Sequence, residues 1–358
     1  MVQNILITGA GGYIGGNVLN DLSARKDGAF KDVKIIASVR QAAQVDQFTK
    51  LGFNAVQLDA TDTRAVEDVV LKHEIDIVIH TAGGIEQTQV VNLIHALGAR
   101  QKSLGEASKT YFIHAGVVTL FTPENGWPYG RATDADTDIF EKLKKLDDQH
   151  PIRITALKIL EEGQKHNVQT LNIGIPLVYG TGTGPGRKIS VNIPAMIRAS
   201  KDARQVFKFE TDARPPVAHI QDLSDLYVLL IEKILQGETP PQGEQGYYFA
   251  VAHQFSYWDL LSGLAKSLHQ LGLVDDETVK TWPSWEAGAD ALGFPRAFIK
   301  GIAGSEGEMI AVKPFQLGWK PKWDEKRFLE SIDEEIAAAE KFDTGKTSIF
   351  EVLVPSKA

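Results

Sequence analysis

The chain has 358 residues, 43% of them hydrophobic, enough for one large domain or two that share an interface. Its net charge of −8 and complete lack of cysteine exclude disulfides, thiolate catalysis and Cys-ligated zinc, and weigh against nonspecific nucleic-acid binding. No apolar run approaches the ~18 residues of a membrane span, and the first strand starts too near Met1 for a signal peptide, so a soluble, cytoplasmic protein is expected.

Residues 5–7 read as a buried strand that runs into Thr8-Gly9-Ala10-Gly11-Gly12-Tyr13-Ile14-Gly15 and then into a helix over 15–25. A strand, a glycine turn and a helix in that order seat a pyrophosphate against backbone N–H groups at a helix N-terminus. Gly9 makes the tight turn, Gly12 lets phosphates approach the backbone, and Gly15 lets the helix pack on the strand. The Gly-x-x-Gly-x-x-Gly spacing differs from the commoner Gly-x-Gly-x-x-Gly, so its placement between strand and helix carries the reading. Strands at 34–39, 55–58, 75–80 and 111–114 then alternate with helices at 41–51, 63–72 and 88–108. A helix around 155–164 and a strand at 169–175 follow. This alternation predicts an α/β, Rossmann-type, doubly wound parallel sheet with right-handed crossovers over residues 1–176. Residues 177–342 are expected to form mainly a smaller α/β substrate lobe interleaved with the first, and 343–358 a C-terminal tail.

The second strand bears on the choice of dinucleotide. An acid near its end would bind a free ribose 2′-hydroxyl, but Ser38 and Arg40 stand there, and Arg40 offers a planar fork of donors to a 2′-phosphate. NADP(H) is therefore the expected cofactor. Leu58-Asp59-Ala60 closes the third strand, where Asp59 either accepts from the adenine amino group or caps the helix starting near Asp62. His80-Thr81-Ala82-Gly83 ends the fourth strand with small residues that leave room for ribose and phosphates, His80 itself reading as a packed strand histidine.

With Ile175-Pro176-Leu177-Val178-Tyr179-Gly180, Val217-Ala218-His219-Ile220-Gln221-Asp222-Leu223 and Leu317-Gly318-Trp319-Lys320-Pro321, these motifs resemble the extended short-chain dehydrogenase/reductase superfamily over nearly the whole chain. Within it, the chain is similar to atypical NmrA-like and fungal NAD(P)-dependent epimerase-like proteins. The resemblance implies a Tyr-x-x-x-Lys pair on one helix face and a Ser or Thr at the end of the fifth strand. No tyrosine here has a lysine four positions later. The best register puts Lys158 at the lysine position and Ile154 at the tyrosine position, and the fifth strand reads His114-Ala115-Gly116-Val117. The ordinary tyrosine-dependent reduction is therefore not expected. Lys158 remains available to the nicotinamide ribose, Pro176, Leu177 and Val178 to the carboxamide side, and His114 as an acid or hydrogen-bond donor, or else as a buried strand histidine.

The loop after the fifth strand carries Phe121, Trp127 and Tyr129 among Pro and Gly, either as a lid over substrate or as anchors of the loop. Tyr179 is a further substrate candidate. Arg187-Lys188 would suit a substrate diphosphate, whereas Arg198, Arg204 and Arg214 read as solvated surface. His219 and Asp222 read as joining the two lobes, and Trp282, Trp285, Phe294 and Phe298 as small-lobe core. No metal site is expected. The function expected from residues and resemblance together is an NADP(H)-dependent oxidoreductase or redox-coupled cyclase. Its substrate would be a bulky, nitrogen-containing small molecule of fungal-type secondary metabolism, and the protein a monomer or homodimer. An NmrA-like NADP(H) sensor that binds a protein partner, or a degenerate nucleotide-sugar epimerase, are the alternatives.

Overall fold

Short apolar runs bounded by glycine or polar turns become the strands of the computed structural model, which describes residues 3–105, 108–146, 150–305 and 307–345. β1 (Asn4–Thr8), α1 (Tyr13–Ser23), β2 (Ile35–Val39), α2 (Ala42–Lys50), β3 (Asn54–Gln57), α3 (Thr63–Lys72), β4 (Ile75–His80), α4 (Gln87–Leu104) and β5 (Tyr111–Val117) follow in order. Then come β6 (Ala132–Thr133), α5 (Ile139–Lys145), α6 (Pro151–His166), β7 (Gln169–Ile175), β8 (Leu177–Tyr179), α7 (Asn192–Ala203) and β9 (Val206–Lys208). β10 (Pro216–His219), α8 (Ile220–Leu235), β11 (Tyr247–Phe249), β12 (His253–Gln254), α9 (Tyr257–Gln270), β13 (Val279–Thr281) and α10 (Trp285–Leu292) continue the chain. The last elements among the described residues are α11 (Ile299–Ala303), β14 (Met309–Ile310), α12 (Lys313–Leu317), α13 (Glu325–Glu330) and α14 (Ile332–Phe342).

Seven strands form one parallel sheet in the order β11-β7-β5-β4-β1-β2-β3. β1, β2 and β4 are buried along their whole length, as strands covered on both faces must be. Alternate residues serve the two faces. Ile5, Ile7, Ile77, Ile79 and Ile113 pack with Val18 and Leu22 of α1 and Leu223 and Leu230 of α8. Leu6, Ile36, Val78 and Phe112 pack with Val66 and Val70 of α3, Leu93 and Leu97 of α4 and Ile159 of α6. The sheet is doubly wound, as the strand–helix alternation predicts. No helix among the described residues is long and apolar enough to cross a membrane.

The smaller lobe gathers around Tyr179, Phe255, Leu260, Leu264, Phe328 and Ile336, under a three-stranded sheet in which β10 pairs with β8 and β12. Between β10 and β12 the chain returns to the large sheet, laying α8 against α1 and adding β11 as an edge strand beside β7. Residues 1–176 alone thus lack part of one helical layer and one strand. β11 escapes sequence reading because it is three residues long and follows a stretch rich in Gly and Pro.

One buried carboxylate ties the late chain to this edge. Asp134 accepts from Phe249 N at 2.9 Å, Val312 N at 2.8 Å and Lys313 N at 3.1 Å, just past the β6–β14 pairing. The Lys313 ammonium in turn donates to Gln245 O at 2.5 Å and Tyr247 O at 3.3 Å. The expected tail begins at Asp343, whose carboxylate pairs with Arg198. Its residues 346–358 lie outside the described residues.

Candidate functional site

The three glycines of the first turn are required for different reasons. Gly9 has φ +75°, and a Cβ there would sit 2.7 Å from the Thr81 carbonyl and from Ala82 N. At buried Gly15 a Cβ would lie 2.2 Å from Thr81 Oγ1 and 2.5 Å from Gly9 O. Gly12 is exposed, with φ −80° and ψ 176°, and a Cβ there meets only Gly9 O at 3.1 Å. Gly9 and Gly15 therefore serve packing, and Gly12 keeps space clear on the outer side. Thr81 locks the turn to β4 by donating to Thr8 O from both N, at 3.1 Å, and Oγ1, at 2.7 Å.

α1 starts at Gly12 without a capping side chain and without an acid in its first turn. An uncapped helix N-terminus of this kind leaves its first N–H groups without side-chain acceptors, the arrangement that can hold an anion. The glycine-rich loop after β8 backs this turn. Gly186 presses on Gly11 and Gly184 on Gly16, Arg187 N donates to Gly11 O at 3.1 Å, and Thr183 N donates to Asn17 Oδ1 at 2.7 Å. Tyr13 donates its hydroxyl to Gly180 O at 2.6 Å, and Ile14 packs on the sheet core. The backing loop is a part of the site that sequence reasoning assigned to the second lobe, because only tertiary folding lays it on the turn.

Arg40 is exposed just past buried Ser38 at the end of β2. Asp59, also exposed, is held below its ordinary range first by hydrogen bonds from Thr61 and further by the Arg40 charge. The helix cap is Asp62, which accepts from Ala65 N at 3.0 Å. Ala60 is buried, and its carbonyl accepts from Asn92 at 3.0 Å. Ala82 and Gly83 are exposed at the mouth beside the glycine turn. Pro176, Leu177 and Val178 are buried where β7 passes into β8, alongside Val217 and Ala218.

A row of polar residues crosses the sheet at one register level. Thr8 pairs with His80, His80 with His114, His114 with Asn172, and Asn172 with Tyr247. Thr8 Oγ1 is 2.7 Å from His80 Nδ1, and the His80 and His114 rings stack at 5.5 Å and 17°. Burial pushes His80 down to about 4, and burial plus the neighbouring His80 pushes His114 well below its ordinary value. Both rings are neutral at neutral pH. His114 Nδ1 and both amide atoms of Asn172 are buried without a hydrogen-bond partner among the described residues. Asn172 was invisible to sequence reasoning because its place beside His114 depends on strand register alone.

Other candidates are placed elsewhere. Lys158 pairs with Glu161 and Glu162, each at 3.1 Å, because α6 turns that side chain along its own outer face. Thr155 is the α6 residue that reaches the loop after β4, at 3.4 Å from Ile85 O. Phe121 and Trp127 are in the core, edge-on to each other at 5.0 Å, with Tyr247 and Phe249 around Phe121. They anchor the loop, and Tyr129, 41% exposed against Trp127, is the member open to solvent. Tyr179 is fully buried against Phe328 at 4.3 Å. The surface arginines are paired, Arg198 with Asp343, Arg204 with Asp275 and Arg214 with Glu325. His219 caps α8 and stacks on Trp323 at 3.9 Å, while Asp222 accepts from Lys322 N and Trp323 N. Trp282 and Trp285 stack on Phe207 and Phe209, while Phe294 is buried and Phe298 half-buried.

Beneath the backing loop, buried Glu335 accepts from Gly180 N at 2.6 Å, and burial pushes its carboxyl from 4.5 up to about 7. The folded chain therefore keeps, between those two values, a proton that the unfolded chain has released. Stability is lost as pH rises through that window. Glu335→Gln keeps the acceptor and removes the ionisation. It is expected to raise unfolding free energy by about 3 kcal/mol at about pH 8 and by almost nothing near pH 4. Urea titrations at both pH values check this, and an equal effect at both would refute it.

Comparison with known proteins agrees with this fold. Residues 5–101 match the saccharopine dehydrogenase NADP binding domain family. No curated protein sequence matches the chain. Among solved structures, UDP-glucose 4-epimerase from Thermotoga maritima overlays with TM-score 0.62 at 14% identity, over 95% of this chain and 99% of that one. dTDP-glucose 4,6-dehydratase from Bacillus anthracis gives 0.62 at 13%, over 96% and 98%. A monomeric L-threonine 3-dehydrogenase from a metagenome gives 0.59 at 18%, over 93% and 98%. At these identities the likeness is one of fold, and it spans both lobes. The first hundred residues form a nucleotide-cofactor module, and the open α1 terminus, the space outside Gly12 and the exposed Arg40 fit a phosphorylated dinucleotide.

Proposed function

We propose that this chain is an NADP(H)-dependent oxidoreductase that acts without a tyrosine–lysine dyad on an acceptor already carrying positive charge, such as an iminium ion. A ketone needs a proton at its developing alkoxide, whereas an iminium ion accepts hydride and becomes a neutral amine. NADPH, when bound, would supply the hydride.

The observation that carries this reading is geometric: His80 and His114 stand side by side near the ends of β4 and β5, with no tyrosine–lysine hydrogen bond among the described residues. Burial raises the phenols of Tyr13, Tyr111, Tyr179, Tyr227, Tyr247, Tyr248 and Tyr257 above their ordinary value. None of these hydroxyls hydrogen-bonds to a lysine among the described residues. His114 is neutral and a poor acid at working pH. The chain's own work is then to hold the pyrophosphate on α1, take the 2′-phosphate with Arg40 and present neutral His114 and Asn172 as hydrogen-bonding groups that orient the acceptor. Lys158 takes no part. The NmrA-like and fungal resemblance supports a bulky nitrogen-containing acceptor of secondary metabolism, with reduction coupled to cyclisation.

The test compares a cyclic imine with its matching ketone, following nicotinamide absorbance for wild type and Arg40→Glu. The imine is expected to turn over with NADPH at least ~100-fold faster than the ketone. Arg40→Glu should weaken NADPH binding ~10-fold or more beyond any change for NADH. A ketone reduced as fast as the imine overturns the reaction class. Equal losses for both nucleotides overturn the role of Arg40.

A further inference from the structure

A second cluster, on the outer seam between α4 and α6, is unrelated to the cofactor cleft. His95 comes from α4, and Glu162 and His166 come from α6, four residues apart and so on one helix face. Glu162 Oε2 lies 2.8 Å from His95 Nε2 and 3.5 Å from His166 Nε2. One ligand atom from each of the three falls within 4.8 Å of the others. His166 Nε2 is buried and makes no hydrogen bond among the described residues. The site is also cradled, because a Cβ at Gly98 of α4 would sit 2.8 Å from His166 Cβ and 3.1 Å from its Nδ1. A side chain at 98 would push the imidazole off the seam.

We infer that His95, Glu162 and His166 bind a divalent transition-metal ion of the zinc class. Two imidazoles and one carboxylate are a borderline-soft donor set that leaves a fourth position for water. Donors about 2.0–2.1 Å from a tetrahedral zinc ion stand roughly 3.3 Å apart, a spacing that the 2.8 and 3.5 Å separations bracket. The ion takes the place of the His95–Glu162 hydrogen bond and gives His166 Nε2 a direct ligand bond in place of its 3.5 Å contact with Glu162. Lys158 sits on the other carboxylate oxygen, Oε1, at 3.1 Å, and so turns Oε2 toward the two imidazoles. Lys165, 3.8 Å from Oε2, is 64% exposed and free to swing into solvent as the ion enters. The site would clamp two helices that cover the same face of the sheet, a structural role independent of the hydride chemistry proposed above.

The test uses untagged full-length protein, stripped with a chelator and dialysed, titrated calorimetrically with Zn²⁺ and spectroscopically with Co²⁺. Wild type is expected to take one zinc ion per chain with Kd near or below ~10 µM and to give the visible bands of four-coordinate cobalt. His95→Ala and His166→Ala should each weaken binding roughly 10-fold or more and abolish those bands. His269→Ala, at a histidine remote from the seam, should match wild type. Circular dichroism separates lost ligands from lost fold, and where an alanine variant unfolds, the Gln variant at that position takes its place. Zinc isotherms of either seam variant that superimpose on wild type, flat ones included, overturn the inference.

Discussion

Gly12→Val is expected to weaken NADPH binding by about 100-fold with only a modest loss of stability, and Gly15→Val to cost the chain far more stability. Both residues belong to one turn, but their surroundings are opposite. At Gly12 the backbone is in the ordinary extended region, and a Cβ approaches nothing but Gly9 O at 3.1 Å. The added isopropyl group fills only the outer space in front of the α1 N–H groups, where phosphate oxygens must come within hydrogen-bond distance. At Gly15 the same group would drive into Thr81 Oγ1 and the Gly9 backbone, both held by the hydrogen bonds between Thr81 and Thr8. Neither can yield without separating α1 from β4, at a cost of about 3 kcal/mol or more. Fluorescence titration with NADPH and urea denaturation of the two variants check the contrast. Gly12→Val that retains wild-type affinity would remove the pyrophosphate from this turn.

Asp134→Ala should cost about 3–5 kcal/mol. The substitution leaves three buried N–H donors, those of Phe249, Val312 and Lys313, without their acceptor. It also removes the negative charge that acts on the buried Lys313 ammonium, which burial already pushes below its ordinary value. Asp134→Asn, which keeps one accepting oxygen, should lie between alanine and wild type. The damage should be local first, because Asp134 holds edge strand β11, the β6–β14 pair and the start of α12 together. Trypsin should therefore cut at exposed Arg131 well before the rest of the chain opens. Urea denaturation and the order of tryptic fragments check this. A loss under ~0.5 kcal/mol would show that water or a neighbour replaces the carboxylate.

Much of the fold was legible along the chain. α3, β4 and β7 begin and end where periodicity places them, because each is bounded by its own turn chemistry and carries a regular apolar spacing. The glycine turn was equally plain. Lys158 shows where such reading fails. Its helix was expected, but which side chains that helix turns toward the sheet depends on its rotation against α4, where Gly98 and His166 interlock. Phe121 and Trp127 were open to two readings, since an aromatic in a loop has the same local pattern whether it faces a ligand or the core. Burial at 0% and 2% separates them.

Local sequence by itself determined the strand–glycine–helix turn, the parallel α/β class and the missing tyrosine–lysine pair. Each of these is written within a few consecutive residues, through steric demands and hydrophobic period. The tertiary structure alone decided which distant residues became neighbours. His80, His114 and Asn172 meet through strand register, Asp134 reaches Lys313 across 179 positions, and His95 meets Glu162 across 67. Register and helix rotation are set by the summed packing of whole layers, so no short stretch of chain encodes them.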